Sequence, residues 1–441
     1  MKQIYRMLIT LFVFVQFTSL SYSNGFSLNS VGTRALGMGG AMVGLADDET
    51  AIYWNPAGLS NREGAQVQLF VTDIVPLSSF KQLNPDGTVY FSTNTETQHY
   101  VAPNLMGYYN IESVPGLTVG LGVYVPSGIG TKWKTNYLRS LYNYYNDDIS
   151  DIETMSKIGV YDFSPAVAYK INNYLQVGLA VNIYYGMFDL KMPAQNPVAG
   201  KKPYQYSESS TGMGYGVTVG LLSKPIDILS IGVSVRTKST IKMKGSATDD
   251  EMTLLKASNS SDFDREMSWP MWFGGGVAVN PIKDLTVALD VQYSQWSQSE
   301  DVFTTDFKDA GWQKATTTKQ KPTDKYTPNQ IVLRWKDALQ IRAGIEYKLL
   351  KELTVRTGYY YDPAPSPDET YNFLFPSITY NAFTLGVSYD LGVISIIAAG
   401  EYLMGKERVI TNTPTNDNPA IPGTYNSNVA AFSLGFAYKI K

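Results

Sequence analysis

The 441-residue chain contains no cysteine, which excludes a disulfide framework, a thiolate metal site and a cysteine nucleophile. Histidine occurs once, as His99, so imidazole catalysis has a single candidate. Its place between Gln98 and Tyr100, at the loop end of a strand, reads more simply as an exposed interfacial residue. Charge of one sign is also missing. The 36 Lys and Arg face 39 Asp and Glu, for a formal net charge of −3, which leaves no basic stripe for nucleic acid. Long hydrophobic runs are scarce: beyond the N-terminus the longest, 393–400, is far short of the roughly 20 residues of a spanning helix. The glycines of Gly37, Gly39 and Gly40 superficially suggest a dinucleotide loop, but no strand precedes them and the third fingerprint glycine is absent. Asp147, Asp148, Asp151 and Glu153 could hold Ca²⁺ or bridge lipopolysaccharide ions. Acidic surface loops are ordinary, and no metal site is assigned. The expectation is no enzyme, no cofactor and no nucleic-acid partner.

What the sequence does have begins at its N-terminus. Lys2 and Arg6 precede a mostly apolar stretch, 7–20, and small residues stand at Ser21 and Ser23. This is the pattern of a cleaved signal peptide over 1–23, with a mature start near Asn24. Tyrosine is abundant, 32 residues beside 18 Phe and 7 Trp, which two aromatic girdles at membrane interfaces would consume and which saccharide-binding β proteins share. From about residue 66 the dominant period is two. Leu175, Val177, Leu179, Val181, Ile183 and Tyr185 alternate with Gln176, Gly178, Ala180, Asn182, Tyr184 and Gly186. Phe432, Leu434, Phe436, Tyr438 and Ile440 share one face of the last run. An exported chain with no spanning helix can live in a membrane only as a closed sheet, because helices and barrels alone satisfy their backbones in lipid.

About fourteen such runs are expected, near 66–75, 99–111, 117–126, 158–171, 174–190, 210–223, 228–242, 264–280, 284–298, 330–348, 352–362, 378–391, 393–410 and 425–440. Their connections alternate. Short turns at 112–116, 172–173, 224–227, 281–283, 349–351 and 392 interleave with long polar segments at 76–98, 127–157, 191–209, 243–263, 299–329, 363–377 and 411–424. A soluble sandwich explains period two equally well, but not this rhythm, which is the layout of an outer-membrane barrel. The predicted fold is all-β, a transmembrane antiparallel barrel over 65–441, resident in the bacterial outer membrane as a monomer. Its expected partners are outer-membrane lipids and lipopolysaccharide, a hydrophobic ligand, and the barrel-assembly machinery during insertion.

Residues 24–64 do not alternate; their glycines and Pro56 forbid a barrel strand, so they plug the lumen or hang in the periplasm. The run carries Gly25 and Phe26, then Arg34 and Ala35, Gly37, Gly39 and Gly40, Ala46, Asp47 and Asp48, and Asn55, Pro56, Ala57, Gly58 and Leu59. Further on come Pro126, Ser127 and Gly128, Trp269 and Pro270, Trp335, and Arg356 to Tyr359 followed by Asp362 and Pro365. Across essentially the whole mature chain this resembles the FadL-type family of long-chain fatty acid and hydrocarbon transporters. The hatch run and the Arg356–Asp362–Pro365 landmarks are its more specific parts. The resemblance implies a fourteen-stranded barrel closed by an N-terminal hatch. It further implies passive transport, with capture by extracellular loops and lateral exit beside a kinked third strand.

Candidate residues follow. Pro126 and Gly128 either interrupt the third strand's ladder, since proline lacks the donor, or simply begin the long loop. Trp133, Tyr137, Leu138, Leu141, Tyr142 and Tyr145 form either a capture surface or loop packing. Phe26 is placed to cap a pocket. A carboxylated cargo needs a cation, and Arg334, Arg342 and Arg356 are the candidates, with Glu346 placed to neutralise Arg342. The C-terminus ends in Lys441 rather than an aromatic residue, which weakens the insertion signal. A structural or adhesive barrel with a permanent plug is the competing expectation; a diffusion porin is disfavoured by the hatch.

Overall fold

The computed structural model describes residues 25–440 except 85, 87, 143, 145–147, 195, 197–199, 300, 320–324, 412, 413 and 416, and omits the side chains of 129, 142, 318 and 319. The signal-peptide assignment, Tyr145, Asp147 and the Tyr142 side chain therefore lie outside the described residues.

Among the described residues fourteen antiparallel strands close into one barrel. They are β1 (Ala65–Leu83), β2 (Tyr100–Asn110), β3 (Leu117–Trp133), β4 (Thr154–Lys170), β5 (Leu175–Ala194) and β6 (Tyr204–Ile226). Next come β7 in two ladders (Leu229–Arg236 and Ser239–Asp249) and β8 in two (Ser260–Trp269 and Trp272–Ile282). The ring is completed by β9 (Leu285–Ser294), β10 (Ala338–Lys348), β11 (Leu353–Asp362), β12 (Tyr380–Asp390), β13 (Ile394–Gly405) and β14 (Gly423–Ile440). Closure comes from β14 pairing with β1, from Ala65–Ile440 to Lys81–Thr424. Closure leaves no edge strand, so the ladders satisfy the backbone within the wall, as lipid requires, except around Pro126 of β3, where residues 26–28 supply the partners.

The faces are inverted relative to a soluble sandwich. Leu179, Val181 and Tyr185 of β5 and Leu434, Phe436 and Tyr438 of β14 are exposed, while Gln176, Ala180, Asn182, Asp290 and Gln292 are buried. Large apolar groups facing outward around small and polar ones make sense only if the outer solvent is lipid. The alternation read for 175–186 and 432–440 thus separates the lipid-facing from the lumen-facing side chains of β5 and β14.

Strand ends differ from the sequence expectation. β3, β5, β6 and β7 run to or from residues 133, 194, 204 and 249, well into segments expected as loops. β6 alone has 23 residues, against the roughly 9–11 that cross the bilayer. Beyond the lipid band both faces meet water, apolar alternation disappears, and the ladder continues without a sequence signature. The tenth strand starts later than expected, at Ala338; residues 330–332 belong instead to a two-stranded patch with Val302–Thr304. Arg334, between them, has φ 47°, incompatible with a strand.

Candidate functional site

Residues 30–60 lie inside the barrel, most of them buried, whereas Glu63 and Gly64 are exposed. The helical turns Thr33–Gly37 and Ala51–Trp54 and the 3₁₀ segment Pro56–Asn61 are almost wholly buried. The wall makes room for them with glycines. A Cβ at Gly178 would overlap the backbone of Pro56 and Ala57, and one at Gly344 or Gly358 would overlap Met38 and Gly39. Gly39 and Gly40 themselves adopt φ 62° and 70°, conformations that favour glycine. Asn55 caps the 3₁₀ segment, accepting from Ala57 N at 3.3 Å, and its Nδ2 donates to Val43 O and to Leu221 O of β6, both at 3.0 Å.

The wall reaches back with polar groups. Asp290 accepts from the Val43 amide at 2.7 Å, Thr384 donates to Gly37 O at 3.0 Å, and Arg236 donates to Tyr53 O at 2.7 Å. Arg342 donates to Gly39 O and Gln340 Oε1, each at 3.0 Å, and lies 4.6 Å from the Tyr360 ring centroid. Glu346 does not neutralise Arg342, as its alternation had suggested. It takes two hydrogen bonds from Arg34, at 2.7 and 2.9 Å, and one from Arg356 at 2.5 Å. Arg34 also pairs with Asp47 and, at 3.0 Å, with Asp48. Burial would lower the Arg34 pKa, but the carboxylates of Asp47, Glu346 and Asp48 outweigh it and hold the guanidinium well above its ordinary value. Asp290 was not singled out from sequence, although a charged residue on the inward parity of a membrane strand was the available signal.

Nearby in the plug, burial and then Asp48 push the Glu49 carboxyl up to about 7. A raised acid favours the folded plug fully below the unfolded value and loses that contribution as pH rises through the folded one. Amide protection of residues 47–58, taken relative to the intrinsic base-catalysed exchange rate, should therefore be greatest near pH 4 and fall up to about pH 7. Glu49→Gln should flatten the profile; an unchanged slope in that variant would assign the effect elsewhere.

Among the described residues the wall is interrupted between β2 and β3. The β2–β3 ladder ends at the Leu105–Val123 pair, and the β3–β4 register shifts between Tyr124 and Ser127, around Pro126. The amide of Val125 is satisfied by the Asn104 side chain at 2.8 Å. Above this the N-terminal residues take over β2's place. Leu28 N donates to Pro126 O at 2.9 Å and Gly128 N to Phe26 O at 3.1 Å, which makes Ser27–Ser127 a narrow antiparallel pair. Higher still the wall recloses, with Glu96 N donating to Lys132 O at 2.7 Å. Pro126 and Gly128 therefore lie inside a strand, at its bulge, and not at the start of a loop.

A cavity of about 260 Å³ connects this window with the lumen. Its lining includes the outward-facing Val101 and Tyr161, the N-terminal residues Gly25 and Ser27 to Ser30, and the inward-facing Tyr380 and Glu401. Phe26 is 1% exposed, with its ring centroid 4.5 Å from Trp335, 5.7 Å from Phe303 and 5.9 Å from Trp296. This aromatic nest anchors the start of the described chain under the outer loops.

The other candidates scatter. Trp133 is buried at the end of β3, donating to Phe373 O at 3.1 Å. Leu138 is buried and Leu141 packs on the same core, whereas Tyr137 is 61% exposed. Arg334 joins two loops by donating to Asp417 O and Asn418 Oδ1 at 2.8 and 2.7 Å. The acidic loop residues are drawn apart: Asp151 pairs with Lys202, Glu153 with Lys191 and Lys132. Among the described residues no acidic or histidine cluster fit for a metal occurs. His99 lies 2.7 Å from Asp73 in an exposed pair.

Similarity agrees with this geometry. The model of a family described as outer membrane protein transport protein (OMPP1/FadL/TodX) matches residues 14–440. A putative outer membrane protein of Neisseria meningitidis is 21% identical over 413 residues, covering 86% of this chain and 85% of that one. Outer membrane protein P1 of Haemophilus influenzae is 22% identical over 436 residues, covering 87% and 86%. In fold, a FadL homologue of Pseudomonas aeruginosa superposes with TM-score 0.78 at 16% identity, over 95% of this chain and all (100%) of that one. The toluene transporter TodX of Pseudomonas putida gives 0.72 at 17% identity, over 95% and 100%. The chain is a bacterial outer-membrane β-barrel and belongs to the OMPP1/FadL/TodX family of outer membrane transport proteins.

Proposed function

We propose that this barrel passes small hydrophobic molecules, of the class of long-chain fatty acids or hydrocarbons, passively across the outer membrane. Cargo leaves sideways through the β2–β3 window when the N-terminal residues move. The observation that carries this reading is the cavity of about 260 Å³, whose lining includes lumenal side chains, lipid-facing side chains and the N-terminal residues alike. An apolar solute in such a cavity stays out of water until it reaches the acyl chains, and its own partition energy supplies the drive.

Because the plug is pinned to the wall by Asp290, Arg342, Thr384 and Glu346, the movable part is the short lead 25–30. Phe26 acts as its latch, seated in the Trp335–Phe303 nest. Surrounding lipid and lipopolysaccharide are the immediate partners of a monomer. Uptake of labelled alkanes, alkylbenzenes and fatty acids by a deletion strain, with and without the gene, tests the proposal. Equal uptake of every class would refute it.

The density of wall-to-plug bonds favours a second reading, a structural or adhesive barrel with a permanent plug. It expects Asn55→Ala and Gly39→Val to change folding yield while leaving permeability alone.

A further inference from the structure

The cavity is graded in polarity from mouth to inner wall. Its basic side chains, Lys157 and His99, stand at the window on exposed positions. On the opposite side, formed by β11 to β14, the ionisable side chains that can carry full charge are Asp362 and Glu401, both carboxyls. Glu401 points inward because Tyr402, its neighbour along β13, is 44% exposed on the lipid face. Tyr360 Oη donates to Glu401 Oε2 at 3.0 Å, and among the described residues no other group donates to this carboxyl. Asp362 accepts from Gln340 at 2.5 Å. From the N-terminal lead, Ser30 contributes a buried Oγ that has no hydrogen-bond partner.

The nearest arginines do not serve this space. Arg236 and Arg342 face a separate cavity of about 40 Å³, behind residues 27–29. Arg236 donates to Tyr53 O, and Arg342 donates to Gly39 O and Gln340 Oε1 with its Nε left unpartnered on that side of residues 27–29. A carboxylate that passes Lys157 and His99 at the mouth would meet two acids at the inner wall, in a medium of low dielectric where like charges repel strongly. A hydrocarbon would leave the open lone pairs of Glu401 unmet. A hydroxyl group would donate to them in a charge-assisted hydrogen bond.

We infer that the cavity selects apolar molecules carrying a hydroxyl group and discriminates against carboxylates, with Glu401 as the specificity-determining residue. This rests on the transport reading above and narrows its cargo.

The test is calorimetric titration of the detergent-purified full chain at pH 8 with three probes of similar size: 4-propylphenol, 4-propylbenzoate and propylbenzene. Propylphenol should bind at least about tenfold more tightly than either of the others. Glu401→Leu should erase its advantage over propylbenzene. Glu401→Gln, which keeps an acceptor but no charge, should chiefly rescue propylbenzoate. Propylbenzoate binding as tightly as propylphenol to the unmutated protein would overturn the inference. So would a ranking unchanged in both variants. If propylbenzene binds with no disadvantage to propylphenol, only this inference fails; the transport reading fails separately, when the uptake comparison above shows no difference for any class of cargo.

Discussion

In the double variant Ser27→Cys/Ser127→Cys, oxidation should reduce hydrophobic uptake to that of a strain lacking the protein, and a reductant should restore it. The geometry favours the bond. Ser27 and Ser127 face each other as a narrow antiparallel pair, whose Cα atoms are typically about 4.5 Å apart, within the range a disulfide spans. Since the chain has no cysteine of its own, the engineered bridge has no competitor. A covalent tether does not merely bias an equilibrium: while it lasts, residues 26–28 cannot leave β3, and the window stays filled. The one contact sacrificed is Trp269 Nε1 to Ser127 Oγ at 2.8 Å, so the single variant Ser127→Cys, carrying the same loss without the tether, is the control. Uptake that is equal in oxidised and reduced cells, with the bridge verified by mobility shift, would mean that cargo takes another path.

That experiment turns on residues that sequence reasoning reached only partly. Pro126 and Gly128 were visible as ladder breakers, but their alternatives, a bulge or a loop start, differ in whether β3 resumes beyond them. It resumes through Gly130, Thr131 and Trp133, a stretch without apolar alternation, so period two could not show it. Phe26 was placed as a cap from its position alone; its neighbours Trp296, Phe303, Trp335 and Phe375 come from two outer loops, whose folding leaves no periodic trace. Strand faces were legible for the opposite reason. Lipid outside and plug inside impose a demand at every second residue, and Leu434 against Ser433 or Val287 against Thr286 answers it locally. Arg342 and Arg356 were assigned inward by that rule and are buried there. What the rule could not supply is the partner across the lumen, because Glu346 finds Arg34 only when a segment 312 positions away is folded into the barrel.

Glu346→Ala should free the plug without unfolding the barrel. Glu346 lies between Arg34 of the plug and Arg356 of β11, and all three side chains are largely shielded, at 17%, 13% and 6% exposure. Deleting the carboxylate leaves two guanidiniums facing each other, with Asp47 and Asp48 pairing only Arg34. Removing one partner of a buried ion pair typically costs about 3–5 kcal/mol, because the survivor is stranded without its counter-charge. The strand ladders do not depend on this cluster, and heat-modifiable migration of the barrel on gels should be unchanged. The loss should fall on the plug, read as faster proteolysis within residues 25–64 and as steady conductance in planar bilayers where the unmutated protein is silent. The paired variant Arg34→Ala/Glu346→Ala also takes the partner of Asp47 and Asp48 away, yet should lose less than the sum of the two single variants, because the Arg34–Glu346 interaction is counted in both. Such non-additivity marks direct coupling between neighbours. Additive losses, or a plug as protected in Glu346→Ala as in the parent, would show that Asn55, Asp290 and the glycine-lined wall hold the plug without this cluster.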